Sequence, residues 1–140
     1  MGRKVRDVMT KNPVALSADS SVMDAAKAMS DHHIGTVVVM EMDRPSGIVT
    51  DRDITVRAVA TGKDPSTTKL SDISSRTLAA VRPDQPVEDA VTMMKSHDVK
   101  RVVVMSESSK LEGIVSLADL ARNNDDGDVE DDISRAEPNN

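Results

Sequence analysis

The chain has 140 residues, of which 38% are hydrophobic and 30% are charged, a balance typical of a globular protein. It contains no Cys, Phe, Trp or Tyr, which excludes disulfides, thiolate metal sites, thiol nucleophiles and aromatic platforms for stacking nucleic-acid bases. The formal net charge is −6, and residues 123–140 account for it with seven acidic side chains and one basic side chain. We expect an acidic disordered tail there, whereas residues 1–122 are formally neutral and lack the excess of cations of a duplex-binding protein.

The amino-terminal half predicts a short series of strands and helices. An extended segment at residues 14–16 precedes a helix whose apolar residues recur at i, i+3, i+4 and i+7 from Val22. The β-branched run 36–40 is apolar on both faces, as in a buried strand, and Gly47-Ile48-Val49 follows as a second strand. We expect Thr50 to begin another α-helix.

The carboxy-terminal half repeats this pattern. At an offset of 65 residues, the run 102–105 (Val-Val-Val-Met) matches the identical run at 37–40. After one additional residue in the second copy, Gly113-Ile114-Val115-Ser116 matches Gly47-Ile48-Val49-Thr50. The chain therefore contains two copies of one structural unit.

The repeat predicts an α/β (α+β) fold made of two tandem β-α-β-β-α units. We assign unit 1 with its linker to residues 1–65, unit 2 to residues 66–122 and the acidic disordered tail to residues 123–140. A unit of about 60 residues buries only about 60% of its unfolded surface, so we expect the two copies to share one core. Val, Ile, Leu, Ala and the nine methionines must fill it, because no aromatic residue is available.

Both copies place a hydroxyl residue and an acidic residue where the second strand leads into a helix. They are Thr50 and Asp53 in the first copy and Ser116 and Asp119 in the second. Free backbone N–H groups and the positive end of a helix dipole favour a phosphate beside such a hydroxyl. A carboxylate one turn further on suits a pair of ribose hydroxyls. The two motifs together indicate a nucleotide site.

The same spacing also has a purely structural interpretation, because Ser/Thr-x-x-Asp is a short form of the helix capping box. Ser21 and Asp24 have this spacing at another helix start, where no ligand is needed to explain it. Since one residue can be both a cap and a ligand contact, the two interpretations stay open at this point.

The double unit resembles a tandem pair of CBS domains, also called a Bateman module. The resemblance covers residues 5 to about 122 and rests on Val5-Arg6-Asp7-Val8-Met9-Thr10, His32-His33-Ile34-Gly35, Lys100-Arg101 before the run 102–104, and both Gly-Ile-Val-[Ser/Thr]-x-x-Asp segments. It implies a regulatory module that senses an adenosine-containing ligand (AMP, ADP, ATP or S-adenosylmethionine) in clefts between the units. It also implies a disc-like homodimer that signals to an effector protein, which the sequence does not identify.

The resemblance further implies how each cleft holds its ligand. Asp53 would hold the ribose in one cleft and Asp119 in the other, while Thr50 and Ser116 would reach ribose or phosphate. In the family, the residues that contact the adenine come from the opposite unit. These are Asn12, Val14 and Ile34 for the cleft with Asp119, and Thr77, Ala79 and Val99 for the cleft with Asp53.

Three cations are candidates for binding phosphate near Asp53. The resemblance places Lys100 and Arg101 where family members bind phosphates, and Arg52 would add to their charge. Gly35 and Thr36 occupy the matching positions of the first copy, so the two clefts are not expected to be equivalent. A solvated strand edge is the alternative explanation of Lys100 and Arg101.

Enzyme activity is not expected, because the chain has no Walker loop, nucleophile elbow or zinc-protease helix. The three histidines lack metal-binding spacing, so we expect neither a metal site nor a catalytic cofactor. The alternative to a sensor is a ligand-free dimerisation or scaffolding module in which both motifs are only caps. Nucleic-acid binding is not expected.

The location of the protein follows from the absence of long apolar segments. The longest aliphatic runs, 37–40 and 102–105, are much shorter than the roughly 20 residues that a membrane-spanning helix needs. The first residues show neither a secretory signal nor an acylation motif. We therefore expect a cytoplasmic protein without a membrane segment.

Overall fold

The computed structural model describes residues 2–76 and 78–123 of the chain, with side chains up to Arg122. Thr77, one of the expected adenine contacts, and the acidic segment 124–140 lie outside the described residues. The role of Thr77 and the disorder of the acidic tail therefore stay predictions.

The described elements are, in chain order, α1 (Val5–Val8), β1 (Thr10–Lys11), β2 (Ala15–Ser17), α2 (Val22–His32), β3 (Thr36–Glu41), β4 (Arg44–Thr50), α3 (Asp51–Asp53) with a π-helical continuation (Ile54–Val59), α4 (Leu70–Ile73), β5 (Ala80–Val81), α5 (Val87–His97), β6 (Arg101–Met105), β7 (Leu111–Ser116) and α6 (Leu117–Asn123). They include the predicted order β-α-β-β-α in each copy, and three short elements that were not predicted, α1, β1 and α4, precede it. Within the two described ranges, no helix is long and apolar enough to cross a bilayer.

The chain divides into two compact units, each of which contains segments from both copies of the repeat. The central unit is Val14–Leu78, and the composite unit joins residues 2–13 to residues 79–123. The first residues of each copy therefore fold with the remainder of the other copy. Helix α1 of the first copy lies in the composite unit, and helix α4 of the second copy lies in the central unit; we call these two helices exchanged. The sequence boundary at residue 65 separates the two copies, whereas the boundaries of the compact units lie at residues 13 and 78.

The central unit is built on a three-stranded sheet with the order β2-β3-β4. Strand β2 runs parallel to β3, with Ala15 opposite Val38, and β3 runs antiparallel to β4, with Val38 opposite Ile48. The exchanged segment of the central unit, residues 70–75, consists of α4 and the two residues after it. Its last residue, Ser75, pairs with Ile48 on the side of β4 opposite to β3. The Ser75 N–H donates to the Ile48 carbonyl at 3.0 Å, and the Ile48 N–H donates to the Ser75 carbonyl at 3.2 Å.

The composite unit repeats this topology in a four-stranded sheet with the order β1-β7-β6-β5. Strands β6 and β7 are antiparallel, with Val103 opposite Ile114, and β5 runs parallel to β6, with Ala80 opposite Val103. The exchanged strand β1 pairs antiparallel with β7, and Thr10 lies opposite Ile114. Thr10 occupies the repeat position of Ser75, so both sheets receive their edge segment in the same way.

Most of the buried apolar residues of the described chain form two core clusters, one in each unit. Leu70 and Ile73 of α4 are buried in the central cluster, and Val5 and Val8 of α1 are buried in the composite cluster. Each cluster contains residues of both copies, so the copies do share core residues, in two clusters rather than one. The exchanged helices give each unit a core of its own, which the linear repeat does not reveal.

The helix after Thr50 departs from the regular α-helix that we predicted. Its continuation is π-helical, with the Ala60 N–H bonded to the Thr55 carbonyl and the Lys63 N–H bonded to the Ala58 carbonyl, both at 2.9 Å. The consecutive β-branched residues 54–56 disfavour regular α-helix, because their side chains are restricted against the preceding turn. The corresponding helix of the composite unit, α6, is α-helical.

Candidate functional site

The first candidate site lies where β4 of the central unit leads into α3. Thr50 has an extended backbone, with φ −109° and ψ 166°, and is the N-cap of the helix. The Asp53 N–H donates to the Thr50 hydroxyl oxygen at 3.1 Å, and the Thr50 N–H donates to Oδ2 of Asp53 at 2.8 Å. The two residues therefore form a complete capping box.

The second candidate site has the same geometry where β7 leads into α6. The Asp119 N–H donates to the Ser116 hydroxyl oxygen at 3.1 Å, and the Ser116 N–H donates to Oδ2 of Asp119 at 2.9 Å. The Leu117 N–H donates to the Lys100 carbonyl at 3.1 Å, which fastens the helix start to the residue before β6. The repeated sequence thus produces a repeated local structure.

The N–H groups of the first turn of α3 already have acceptors within the central unit. The Asp51 N–H donates to the Gly35 carbonyl at 3.0 Å. The Arg52 N–H donates to Oδ1 of Asp51 at 2.9 Å, and the third N–H is bonded to Thr50 as described above. The prediction of free N–H groups for phosphate is therefore wrong at this helix start. Side chains would have to hold a phosphate bound here.

The capping contact by itself does not distinguish the two candidate sites from ordinary helix starts. An Asp three residues after the N-cap also accepts the N-cap N–H at α1 (2.9 Å), α2 (3.3 Å) and α4 (3.3 Å). Those three acids are Asp7, Asp24 and Asp72, and all are exposed. Asp119, by contrast, is only 7% exposed, and the Asp53 side chain is only 17% exposed. Partial burial is the feature that separates the two motif carboxylates from the other three.

Each of these two carboxylates also contacts an arginine of its own helix. Nε of Arg57 lies 3.8 Å from Oδ1 of Asp53, and Nη2 of Arg122 donates to Oδ1 of Asp119. A carboxylate withdrawn from water needs such compensation, because its burial is otherwise costly. Our sequence analysis did not select either arginine. Their spacing of four and three residues from the acid was the available signal, since such residues are neighbours on a helix.

The remaining candidates of the central unit lie before β2, after α2 and in α3. Val14 is half-buried, and its carbonyl accepts the Val38 N–H at 2.9 Å. Ile34 packs against the central core cluster directly after α2, and the Arg52 side chain is exposed. The central unit thus brings Val14, Ile34 and Arg52 into the same compact body as Thr50 and Asp53.

The composite unit contains the other described candidates. Ala79 is buried, Val99 packs against the composite core cluster, and Asn12 is exposed with a left-handed backbone at φ 52°. Lys100 and Arg101 are half-buried, and each takes part in a polar or electrostatic interaction. These residues share a unit with Ser116 and Asp119, and the assignment of some of them to Asp53 stays a prediction.

Comparison with known proteins identifies the family. The model of the CBS domain matches residues 5–59 and 70–125, which are the two copies of the repeat. The chain belongs to the CBS domain family. The fold class and the resemblance predicted from the sequence are therefore confirmed.

Relatives of known sequence or structure cover most of the chain. The CBS domain-containing protein YhcV of Bacillus subtilis is 35% identical over 119 residues, which span 85% of this chain and 84% of that protein. The crystal structure of Hypoxic Response Protein I with two coordinated zinc ions has a TM-score of 0.75 and 31% identity, covering 87% of this chain and 99% of that chain. The CBS domain pair of protein MJ0100, in complex with 5′-methylthioadenosine and S-adenosyl-L-methionine, has a TM-score of 0.76 and 26% identity, covering 88% and 96%.

Membership of the family bears on the broad class of function. CBS domain pairs are generally regulatory, non-catalytic modules that bind ligands. The crystal structure of Hypoxic Response Protein I contains two coordinated zinc ions. Within residues 2–76 and 78–123 of this chain, no group of three or more His, Cys, Asp or Glu residues could hold a metal ion.

Proposed function

We propose that this protein is a regulatory sensor of an adenosine-containing ligand, and that Asp53 and Asp119 bind the ribose. The observation that carries the proposal is the partial burial of these two carboxylates among five helix-capping acids of similar geometry. Capping does not require a buried acid, because exposed acids also cap α1, α2 and α4. A buried carboxylate in a ligand-binding family is better explained by a ligand that donates hydrogen bonds to it.

The capping contact leaves each carboxylate able to accept further hydrogen bonds. An ionised carboxylate has about four acceptor positions on its two oxygens. At Asp53 the N-cap N–H uses one position on Oδ2. The two hydroxyls of a ribose can therefore donate to the same carboxylate while the helix remains capped. The hydroxyl groups of Thr50 and Ser116 accept from N–H groups and retain their own hydrogens for ribose or phosphate.

Recognition of the base and the phosphate belongs to the same proposal. Adenine would contact Asn12, Val14, Ile34, Thr77, Ala79 and Val99, which are mainly aliphatic residues, and Lys100, Arg101 and Arg52 would bind phosphate. A ligand that prefers one conformation of the protein would shift its equilibrium, and an effector protein would respond to that change. AMP, ADP, ATP and S-adenosylmethionine are the candidate ligands.

The test compares thermal unfolding of Asp53→Asn, Asp119→Asn and the double variant with that of Asp24→Asn. Asp24 caps α2 with matching contacts of 3.0 and 3.3 Å but is exposed, so it is a matched control for the loss of a capping carboxylate. A ligand at a hundredfold excess over Kd stabilises the wild type by about 2.7 kcal/mol, which raises the midpoint by several degrees. We expect this shift to decrease in each single site variant, to disappear in the double variant and to persist in Asp24→Asn.

Two outcomes would contradict the proposal. A double variant that keeps the full ligand-induced shift would mean that the two carboxylates do not bind the ligand. A wild-type protein that is stabilised by none of the four compounds at millimolar concentration would mean that the motifs are helix caps without a sensing role.

A ligand-free dimerisation module is the second candidate function, and one observation favours it. Val56 and Val59 of the π-helical segment are 47% and 66% exposed, so an apolar surface is available for a second copy of the chain. Light scattering of Val59→Asp tests this function, because a charge at such an interface is expected to convert a dimer into a monomer. A dimer that forms without ligand and is unaffected by ligand would favour this candidate over the sensor.

A further inference from the structure

Arg57 connects two groups of the central unit that lie far apart in sequence. Its Nε lies 3.8 Å from Oδ1 of Asp53, and its Nη1 donates to the Ile73 carbonyl at 3.1 Å. Ile73 is the last residue of α4, where carbonyl groups lack partners within the helix. One guanidinium group therefore links the motif carboxylate after β4 to the end of the exchanged helix.

The contacts of Asp53 show what this link does to the carboxylate. Oδ2 accepts the Thr50 N–H at 2.8 Å, and Oδ1 faces Arg57. A hydrogen bond to one oxygen and a cation 3.8 Å from the other favour one orientation of the carboxylate about the Cβ–Cγ bond. Because the Asp53 side chain is only 17% exposed, nearby donors rather than bulk water determine its orientation.

We infer that Arg57 is a positioning residue for the proposed adenosine site: it orients the Asp53 carboxylate toward the ribose hydroxyls and ties that carboxylate to α4. The inference rests on the proposed function of Asp53. The planar guanidinium suits the task because its N–H groups point in fixed directions and reach two acceptors at once, which a lysine ammonium does not reproduce. Ribose binding at Asp53 and docking of α4 therefore support each other, and this coupling is reciprocal.

The second copy has no arginine at the position that matches Arg57. Asn123 occupies the position that matches Arg57 in the second copy, and its shorter amide side chain carries no charge. The arginine that contacts Asp119 is Arg122, which matches Val56 of the first copy. The two motifs therefore use arginines from different repeat positions.

The experiment measures discrimination between ribose and deoxyribose ligands. The affinities of AMP and 2′-deoxyAMP, and of ATP and 2′-deoxyATP, are determined by calorimetry for the wild type, Arg57→Met and Arg76→Met. Arg76 is a matched control from the same unit. Its side chain is 61% exposed, and its Nη1 lies 3.9 Å from Oε2 of Glu41. The Arg57 side chain is 50% exposed, and its Nε lies 3.8 Å from Oδ1 of Asp53. Methionine keeps most of the length of the side chain and removes every donor.

We expect the wild type to bind the ribose ligand roughly tenfold more tightly than its 2′-deoxy form, as the loss of one hydrogen bond to a charged group predicts. In Arg57→Met this ratio falls toward one, because the carboxylate no longer holds the orientation that the second hydroxyl requires. Arg76→Met keeps the wild-type ratio. A merely structural role of Arg57 would weaken both ligands equally and leave the ratio unchanged.

Amide hydrogen exchange tests the connection to α4. The Ser74 N–H donates to the Leu70 carbonyl at 2.9 Å, next to the carbonyl that Arg57 binds. Without ligand, we expect its exchange to be severalfold faster in Arg57→Met than in the wild type, in proportion to one lost hydrogen bond. Ligand should slow this exchange in the wild type and not in the variant. Arg57→Lys serves if the methionine variant does not fold, and it should lose the ligand-dependent protection as well.

The outcomes distinguish this inference from the proposed function. A wild type that discriminates against the 2′-deoxy ligand and an Arg57 variant that discriminates equally would overturn the role of Arg57 and leave Asp53 as a ribose ligand. A wild type that binds none of the four nucleotides, or that binds ribose and deoxyribose forms equally, would overturn the ribose role of Asp53 and this inference together.

Discussion

The central and composite units have the same local sequence at the strand-to-helix junction but different surroundings. Their capping distances differ by no more than about 0.1 Å, since the N–H to carboxylate contacts are 2.8 and 2.9 Å. After the motif they diverge, because a π-helical segment follows Asp53 and a regular α-helix contains Asp119. The four residues of the motif therefore specify the helix cap. The helix that follows the cap differs between the units, and so does the position of the arginine that contacts the motif carboxylate.

The exchanged helices provide the largest difference that can be measured between the units. Leu70 and Val5 occupy matching repeat positions and are both 0% exposed in their respective cores. We expect Leu70→Ala to lower the free energy of unfolding by about 3 kcal/mol and Val5→Ala by about 2 kcal/mol, since the larger side chain leaves the larger cavity. Urea unfolding followed by circular dichroism at 222 nm measures both, because the chain has no aromatic residue for intrinsic fluorescence.

The control for this comparison is Lys27→Ala, an exposed position of α2 whose truncation should change stability by no more than about 0.5 kcal/mol. If Leu70→Ala and Val5→Ala were as mild as this control, α1 and α4 would not be parts of the two cores.

The glycines of β4 and β7 test how closely the exchanged segments approach each sheet. A Cβ on Gly47 would lie 2.5 Å from the Ser75 carbonyl oxygen, and a Cβ on Gly113 would lie 2.8 Å from the Thr10 carbonyl oxygen. Backbone atoms cannot move aside as a flexible side chain does, so we expect Gly47→Ala to cost about 2 kcal/mol and Gly113→Ala somewhat less. Thermal unfolding measures the loss, and hydrogen exchange at Ser75 locates it.

Gly62→Ala separates steric crowding from backbone strain. Gly62 has φ +76° with no atom within 4 Å of a Cβ, so alanine there costs only the strain of the left-handed conformation, about 1 kcal/mol. Equal losses in Gly62→Ala and Gly47→Ala, without faster exchange at Ser75, would contradict the close packing of the exchanged segment.

The connections between the last two strands of each unit give the smallest expected effect. Met42 and Asp43 form a two-residue turn between β3 and β4, with φ values of 50° and 65°, whereas residues 106–110 form a longer loop in the composite unit. Met42 is 95% exposed and has no packing to lose. Asparagine tolerates the left-handed conformation better than methionine, so Met42→Asn should stabilise the protein by about 0.5 kcal/mol.

Thermal unfolding of Met42→Asn and Met42→Ala measures this effect. Alanine removes the exposed side chain without favouring the turn conformation, so only asparagine should raise the midpoint. An equal rise in both variants would assign the effect to the exposed apolar side chain instead of the backbone.

The sequence allowed much of the fold to be predicted because periodicity and capping act over short distances. The apolar stripe from Val22 appears as α2, the runs 37–40 and 102–105 lie in β3 and β6, and Thr50 and Ser116 begin helices as expected. The candidate site was predictable to the same extent, since its acid and hydroxyl belong to one repeated motif. Whether this motif binds a ligand did not follow from its spacing, because exposed acids cap other helices with similar contacts.

The sequence by itself determined the two-copy architecture, the β-α-β-β-α order in each copy and the capping boxes of the Ser/Thr-x-x-Asp motifs, since these depend on local patterns. Only the tertiary structure decided that α1 and α4 are exchanged, that each unit has its own core, and that Arg57 reaches Ile73. The physical reason is that burial and long-range hydrogen bonds depend on which segments pack together. A linear repeat does not specify that packing, because either copy offers the same apolar pattern to the incoming helix.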